Sequence, residues 1–228
     1  MAYILHIETS TKQCSVAIGY KGKCISEKKL LSEHYSHEEK LHVFIQEALQ
    51  EVNLNISELG AVSVSKGPGS FTGLRIGVAT AKGICYALDL PLIAIDTLKL
   101  MIQPFLKKKD IDFLIPMLDA RRMEVYTAIY DNYENCVQQI KAQVLTENSF
   151  HKVVGDRNCL IIGNGAVKFQ NIKPKIKAYF SEYIYYPSAK DMCSLSWKHK
   201  LNRNYQDINT FEPYYLKDFQ ATLPKNTK

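Results

Sequence analysis

Apolar and polar positions alternate from the start of the chain. The stretch "AYILHIET" (residues 2–9) has the two-residue period and β-forming composition of a half-buried strand. "CSVAIG" (14–19) repeats the pattern, "YKGK" supplies a turn with Gly22 at its permissive position, and "CISEKKLL" (24–31) predicts a third strand. Three strands with such short connections predict an antiparallel meander. The period then changes. Leu41, Ile45, Ala48 and Val52 recur at three- and four-residue steps, which predicts a helix over residues 36–51. Ser36 and Glu39 have capping-box spacing at its start. "AVSVS" (61–65) predicts a short buried strand, and Leu74, Val78, Ala81, Cys85 and Leu88 form the buried stripe of a second helix over 72–88. "LPLIAID" (90–96) predicts another strand and "TLKLMIQPF" (97–105) a helix halted by Pro104.

"LKKKD" (106–110) breaks the pattern and places a domain boundary, giving halves 1–105 and 106–228. Three strands follow in "IDFLIPMLDA", "MEVYTAIYDN" and "VQQIKAQVLT". A short helical piece near "ENSFHK", a strand in "CLIIGNGA" and a helix in "PSAKDMCSLSWKHKL" complete the chain. The order βββαβα therefore occurs twice, which predicts an α/β protein of two related halves.

Composition adds bounds. The chain has 228 residues, 46% of them hydrophobic and 23% charged, enough for substantial cores. It lacks an apolar run long enough to span a membrane, and "MAYILHIETS" lacks the basic start and apolar run of a secretory signal, so a cytoplasmic location is expected. The six cysteines form no C-x-x-C pair and read as reduced, small buried hydrophobes. The net charge of +6 falls entirely beyond residue 102, so the second half could face a polyanion such as RNA, or carry its lysines as a solvated surface.

The segment "KGPGSFTGLRIGVATAKG" (66–83) follows a strand and opens a helix, where backbone N–H groups can bind anions. Its detail fits phosphate binding poorly. Gly73 is followed by Leu74 rather than lysine, Gly67, Gly69 and Gly73 miss the dinucleotide spacing, and Pro68 has no N–H. Gly77 and Gly83 each cost about 1 kcal/mol inside a helix relative to alanine, which calls for close approach by another backbone. Glu8 at the end of the first strand, beside Thr9, could join Gly67, Gly69 and Ser70 in holding a metal–nucleotide, or could simply close a turn. His34, His37 and His42 lack the four-residue step of a helical metal pair, since His37 and His42 point about 140° apart. No metal site is expected. Asp119, Arg121, Arg122 and Glu124 crowd one tight turn, as a salt-bridged hairpin or a recognition patch.

Together these motifs resemble a family. "ILHIETSTKQCSVAIG" is similar to the opening of the ASKHA (actin-like, ribonuclease H-like) fold in its bacterial TsaB, or YeaZ, form. "SVSKGPGSFTGLRIGVATAKGICYAL" and "IPMLDARRMEVYTAIY" resemble that family's two central motifs, and "IIGNGA", "PSAKDMCSLSW" and "EPYYLK" its later ones. The resemblance implies a non-catalytic subunit that binds a catalytic paralogue, TsaD, and works with the ATPase TsaE. The complex transfers threonylcarbamoyl from an adenylate to N6 of adenosine 37 in tRNA. ATP, magnesium and threonylcarbamoyl-adenylate would be used by the complex, with no cofactor required by this chain and tRNA met indirectly. The paralogue carries an H-x3-H metal motif where this chain has "LIAIDTLKLM", without histidine. Departures are Glu8 for the usual Asp, Met123 for a glycine and Lys217 for an arginine. On this reading the two helices of the first half form the partner interface, or a homodimer face when alone. The candidates are His37, Leu41, Phe44, Gly73, Arg75, Ile76, Gly77, Thr80 and Lys82, with Gly73 and Gly77 clearing space for a partner helix. The alternatives are an ATPase or phosphotransferase of the same fold acting alone, and a glycoprotease-like peptidase, for which no nucleophile–base pair stands out.

Overall fold

The computed structural model of the protein describes residues 2–32 and 36–217. Strands β1 (Tyr3–Glu8), β2 (Gln13–Tyr20) and β3 (Lys23–Leu31) form the antiparallel meander expected from their alternation. Strands β4 (Leu59–Gly67) and β5 (Leu92–Asp96) add in parallel beyond β1, giving the order β3-β2-β1-β4-β5. Because successive side chains leave a strand on opposite faces, β1 feeds two cores. Leu5 and Ile7 face helices α1 (His37–Glu51) and α2 (Phe71–Leu88), where Leu41, Ile45, Val78 and Cys85 close the packing. Ile4 faces the other way, into a cluster with Ile93, Ile95, Met192 and Leu195.

The second sheet repeats the plan. It holds β6 (Phe113–Asp119), β7 (Glu124–Asp131), β8 (Cys136–Val144), β9 (Cys159–Ile162) and β10 (Ala178–Phe180), in the order β10-β9-β6-β7-β8. Read from β8, that is the order of the first sheet. Helix α3 (Thr97–Ile102) packs Leu98, Met101 and Ile102 on one face. The single turn α4 (His151–Val154) and α5 (Ala166–Asn171) cover the other, around Phe150 and Phe169, whose rings meet edge to face at 5.3 Å. Two mixed five-stranded sheets with this shared order are the α/β ASKHA arrangement.

Residues 97–112 lie between the last strand of the first sheet and the first strand of the second, with α3 already packed on the second, but the chain returns. Helix α6 (Cys193–Leu201) follows the second sheet in sequence and lies on the first. Ser196 Oγ donates to Ser63 Oγ at 2.8 Å, and the Lys200 ammonium donates to the Gly60 carbonyl. Further on, Gln206 bridges to Leu92, and the Tyr214 N–H donates to the Lys66 carbonyl at 2.7 Å.

Two local expectations are corrected. Ser36 caps α1 in position only: its backbone has φ −113° and ψ 17°, not the extended ψ that aims an N-cap oxygen at the first turn, and its side chain makes no capping bond. The cysteines are not uniformly interior, since Cys24 and Cys136 are exposed. Among the described residues no helix is long and apolar enough to cross a membrane.

Candidate functional site

The glycine segment lands where β4 gives way to α2, against the β1–β2 connection. Ser70 caps the helix, accepting from the Gly73 N–H at 3.3 Å, and its own N–H donates to the Ser10 carbonyl at 2.7 Å. A Cβ on Gly69 would stand 2.4 Å from the Ser10 carbonyl oxygen, and one on Gly67, whose φ is +115°, would stand 2.7 Å from the Tyr214 oxygen. A Cβ on Gly73 would meet the Thr9 oxygen at 2.1 Å, and one on Gly77 the Thr9 Oγ1 at 2.2 Å. The expected role of Gly73 and Gly77 is thereby corrected. Both are buried, and the backbone they admit is this chain's own Thr9, whose hydroxyl donates to the Gly73 carbonyl at 2.7 Å.

The nucleotide candidates Glu8, Thr9, Gly67, Gly69 and Ser70 do converge here, but two of their side chains turn inward. Thr9 is fully buried. Glu8 is also fully buried, and its Oε1 accepts from the Ser10 N–H at 2.6 Å. Loss of water around it pushes its pKa up to about 7, and Asp191 adds to the rise. Gly69 and Ser70 border the cleft between the two sheets, a space of about 1120 Å³. Lys12 and Thr72 face it from the first lobe, and Arg121, Arg122 and Tyr126 from the second.

The hairpin at the far wall is held by lysines rather than by its own arginines. Lys168 Nζ sits 2.7 Å from Asp119 Oδ1, and Lys217 pairs with Glu124. The Arg121 N–H donates to Asp119 Oδ1 at 2.7 Å. Arg121 and Arg122 take left-handed φ values of 68° and 45°, leaving Met123 exposed after them.

The partner candidates divide by burial. His37 and Leu41 are interior; the His37 ring nitrogen Nε2 lies 2.8 Å from the Thr11 carbonyl, and burial lowers its pKa. Both side chains lie inside the chain's own core rather than on its surface, which corrects their place among the partner-interface candidates. Phe44, Ile76 and Thr80 are half-buried. Arg75 is exposed, with its guanidinium 4.0 Å over the Phe71 ring and Nε donating to Tyr215 OH at 3.1 Å. Lys82 Nζ donates to the Phe211 carbonyl at 3.0 Å. What the outer face of α2 presents freely is Ala79, Gly83 and Tyr86, the last 80% exposed; of these only Gly83 was singled out in sequence, as calling for a close backbone, and none was among the partner candidates. A Cβ on Gly83 would meet nothing within 4 Å. Its interior position in the helix was the available signal; polarity alone could not separate it from Gly77. The histidines form no constellation: His37 is interior, His42 is exposed, and His34 lies outside the described residues. Among the described residues no group of three or more His, Cys, Asp or Glu could hold a metal ion.

Comparison with known proteins is consistent across sequence and structure. The model of the family described as TsaD, tRNA N6-adenosine threonylcarbamoyltransferase, matches residues 32–225. The tRNA threonylcarbamoyladenosine biosynthesis protein TsaB of Haemophilus influenzae is 26% identical over 224 residues, covering 94% of this chain and 93% of that protein. TsaB of Buchnera aphidicola subsp. Schizaphis graminum is 30% identical over 199 residues, covering 83% and 90%. The solved structure of YeaZ from Pseudomonas aeruginosa superposes with a TM-score of 0.78 at 23% identity, covering 95% of this chain and all, 100%, of that one.

Proposed function

The chain belongs to the family of tRNA N6-adenosine threonylcarbamoyltransferases and groups there with the proteins named TsaB, and from that premise we propose that it is a non-catalytic subunit of tRNA threonylcarbamoyladenosine synthesis. It binds the catalytic, TsaD-type paralogue through the outer face of α1 and α2, and the complex works with a TsaE-type ATPase. ATP, magnesium and threonylcarbamoyl-adenylate are used by the complex, and tRNA meets this chain through it. Without the paralogue the same face pairs two copies of this chain. The observation that carries the reading is α2 itself. The longest helix of the first lobe keeps an exposed, unopposed interior glycine, Gly83, beside the exposed Tyr86, with Phe44, Ile76 and Thr80 half-buried on the two helices. A helix accepts the loss of stability at such a glycine when another backbone must come close. A supporting role rather than catalysis is favoured by the burial of Glu8 and by the absence of histidine from residues 92–101, "LIAIDTLKLM".

Two measurements test this. In a mixture of the paralogue, the ATPase, an adenylate synthase and tRNA, leaving out this chain is expected to abolish formation of the modified nucleoside; unchanged formation defeats the proposal. Gly83→Arg, which has open space for its side chain, is expected to fold normally and to lose co-purification with the paralogue. A second reading, nucleotide binding by this chain alone, is favoured only by the cationic residues Lys12, Arg121 and Arg122 around the cleft. Calorimetry with Mg-ATP on the isolated chain distinguishes it.

A further inference from the structure

Cys24 lies on β3, the edge strand of the first sheet, and Cys193 begins α6, far away in sequence. Gly19 is the residue paired with Cys24 across the β2–β3 ladder. A Cβ on Gly19 would stand 3.1 Å from the Cys193 sulfur. The missing side chain thus leaves space shared by the His6 ring, at 2.6 Å, and the Cys193 sulfur, beside the cross-strand neighbour of Gly19. Cys24 donates to the Ser26 carbonyl at 3.3 Å, and the Cys193 sulfur lies 3.8 Å from His6 Nδ1. Both border one surface depression of about 600 Å³ that also holds Lys190. Cys24 is exposed and Cys193 buried behind it, so the outer thiol is open to a reagent and the inner one is placed to resolve the product.

We propose that Cys24 and Cys193 form a redox-responsive pair, converted by a low-molecular-weight disulfide such as oxidised glutathione into an intramolecular disulfide that fastens α6 to the edge of the first sheet. The Cys24 thiolate attacks one sulfur of the oxidant; that S–S bond breaks, one glutathione thiolate leaves, and a mixed disulfide forms on Cys24. Cys193 then gives up its proton and attacks the Cys24 sulfur, expelling the second glutathione. The protein loses two electrons and two protons, and the oxidant is reduced to two thiols. The neighbouring Cys193 lowers the pKa of Cys24 against the opposing effects of burial and the Glu27 charge, and Lys190 adds the smallest push in the same direction, so the thiolate fraction rises. Burial pushes Cys14, Cys85 and Cys159 up to about 12, and the Cys24 contact and burial raise Cys193 as well, so its place beside Cys24, not its acidity, selects it as the resolving thiol. The link joins residues distant in sequence, so it restricts the unfolded chain as well as the folded one.

The test uses the full chain by itself, so its outcome is independent of the tRNA-modification reading. After oxidised glutathione, digestion without reductant and mass analysis are expected to yield a cross-linked peptide containing Cys24 and Cys193. Thermal unfolding should shift to higher temperature and return on adding reductant. Cys24→Ser and Cys193→Ser should each remove both effects, and Cys136→Ser should leave them. A glutathione adduct on Cys24 that never resolves, or a link from Cys24 to any other cysteine, overturns the proposal.

Discussion

Glu8 and His6 share one face of β1, both fully buried, and desolvation drives each toward its neutral form. For Glu8 the folded pKa is raised from 4.5 to about 7, so between these values the folded state holds a proton that the unfolded state has released, and stability falls as pH rises. For His6 it is lowered from 6.5 to about 4, so the unfolded state holds the extra proton and stability rises with pH. The two slopes oppose one another wherever both windows overlap. Glu8→Gln removes one of them while keeping size and hydrogen-bonding capacity. Relative to the parent, the variant should gain about 1.4 kcal/mol of stability per pH unit across that overlap. Urea unfolding at a series of pH values measures it, and parallel profiles would show that Glu8 is ionised in the fold. None of this was legible in the sequence: Glu8 was readable as a strand-end carboxylate, but its solvent was not. Residues that seal it, such as Asp191 and the loop at Ser10, come from other parts of the chain.

At the level of elements, hydrophobic period carried most of the reading. It placed the three opening strands, α1 and α2, and the repeat of the plan in the second half, because burial of one face imposes a period whatever the neighbours are. It could not say which neighbour each position meets. Gly73 and Gly77 read like partner-facing residues and are instead pressed on Thr9, whereas Gly83 is open. Alanine substitutions separate the two situations. Gly77→Ala puts a methyl where Thr9 Oγ1 stands, so Thr9 must move and its bond to the Gly73 carbonyl is lost; a loss of about 2 kcal/mol or more is expected. Gly83→Ala meets nothing and removes the entropic penalty of glycine, so a gain of up to about 1 kcal/mol is expected. Denaturant midpoints of the two variants decide it, and equal effects would contradict the placement of α2. The Ser36 capping box failed for a related reason: spacing in sequence does not set the ψ that a cap requires.

On the scale of the whole molecule, the cleft is assembled from six separated stretches, near residues 10–12, 68–72, 118–126, 164, 184–186 and 214–217, which is why no local pattern announced it. The last of these acts as a strap. Tyr214 donates its N–H to Lys66 on the first sheet, Tyr215 stacks 4.8 Å from Phe71, and Lys217 pairs with Glu124 on the second sheet. Phe211 packs on the first core and accepts from Lys82. These contacts differ in kind. The Lys217–Glu124 pair has a lysine side chain 43% exposed, and such pairs contribute at most about 1 kcal/mol. The backbone bond at Tyr214 and the burial of Phe211 involve groups that would lose their partners or return to water if the strap were removed. Lys217→Glu is therefore expected to leave the thermal midpoint nearly unchanged, while a chain ending before Thr210 should unfold at a clearly lower temperature. Circular dichroism melts of the two variants test the ranking. If the charge reversal proved as damaging as the truncation, the strap would be held by its ion pair, and the relative placement of the lobes would be sensitive to salt.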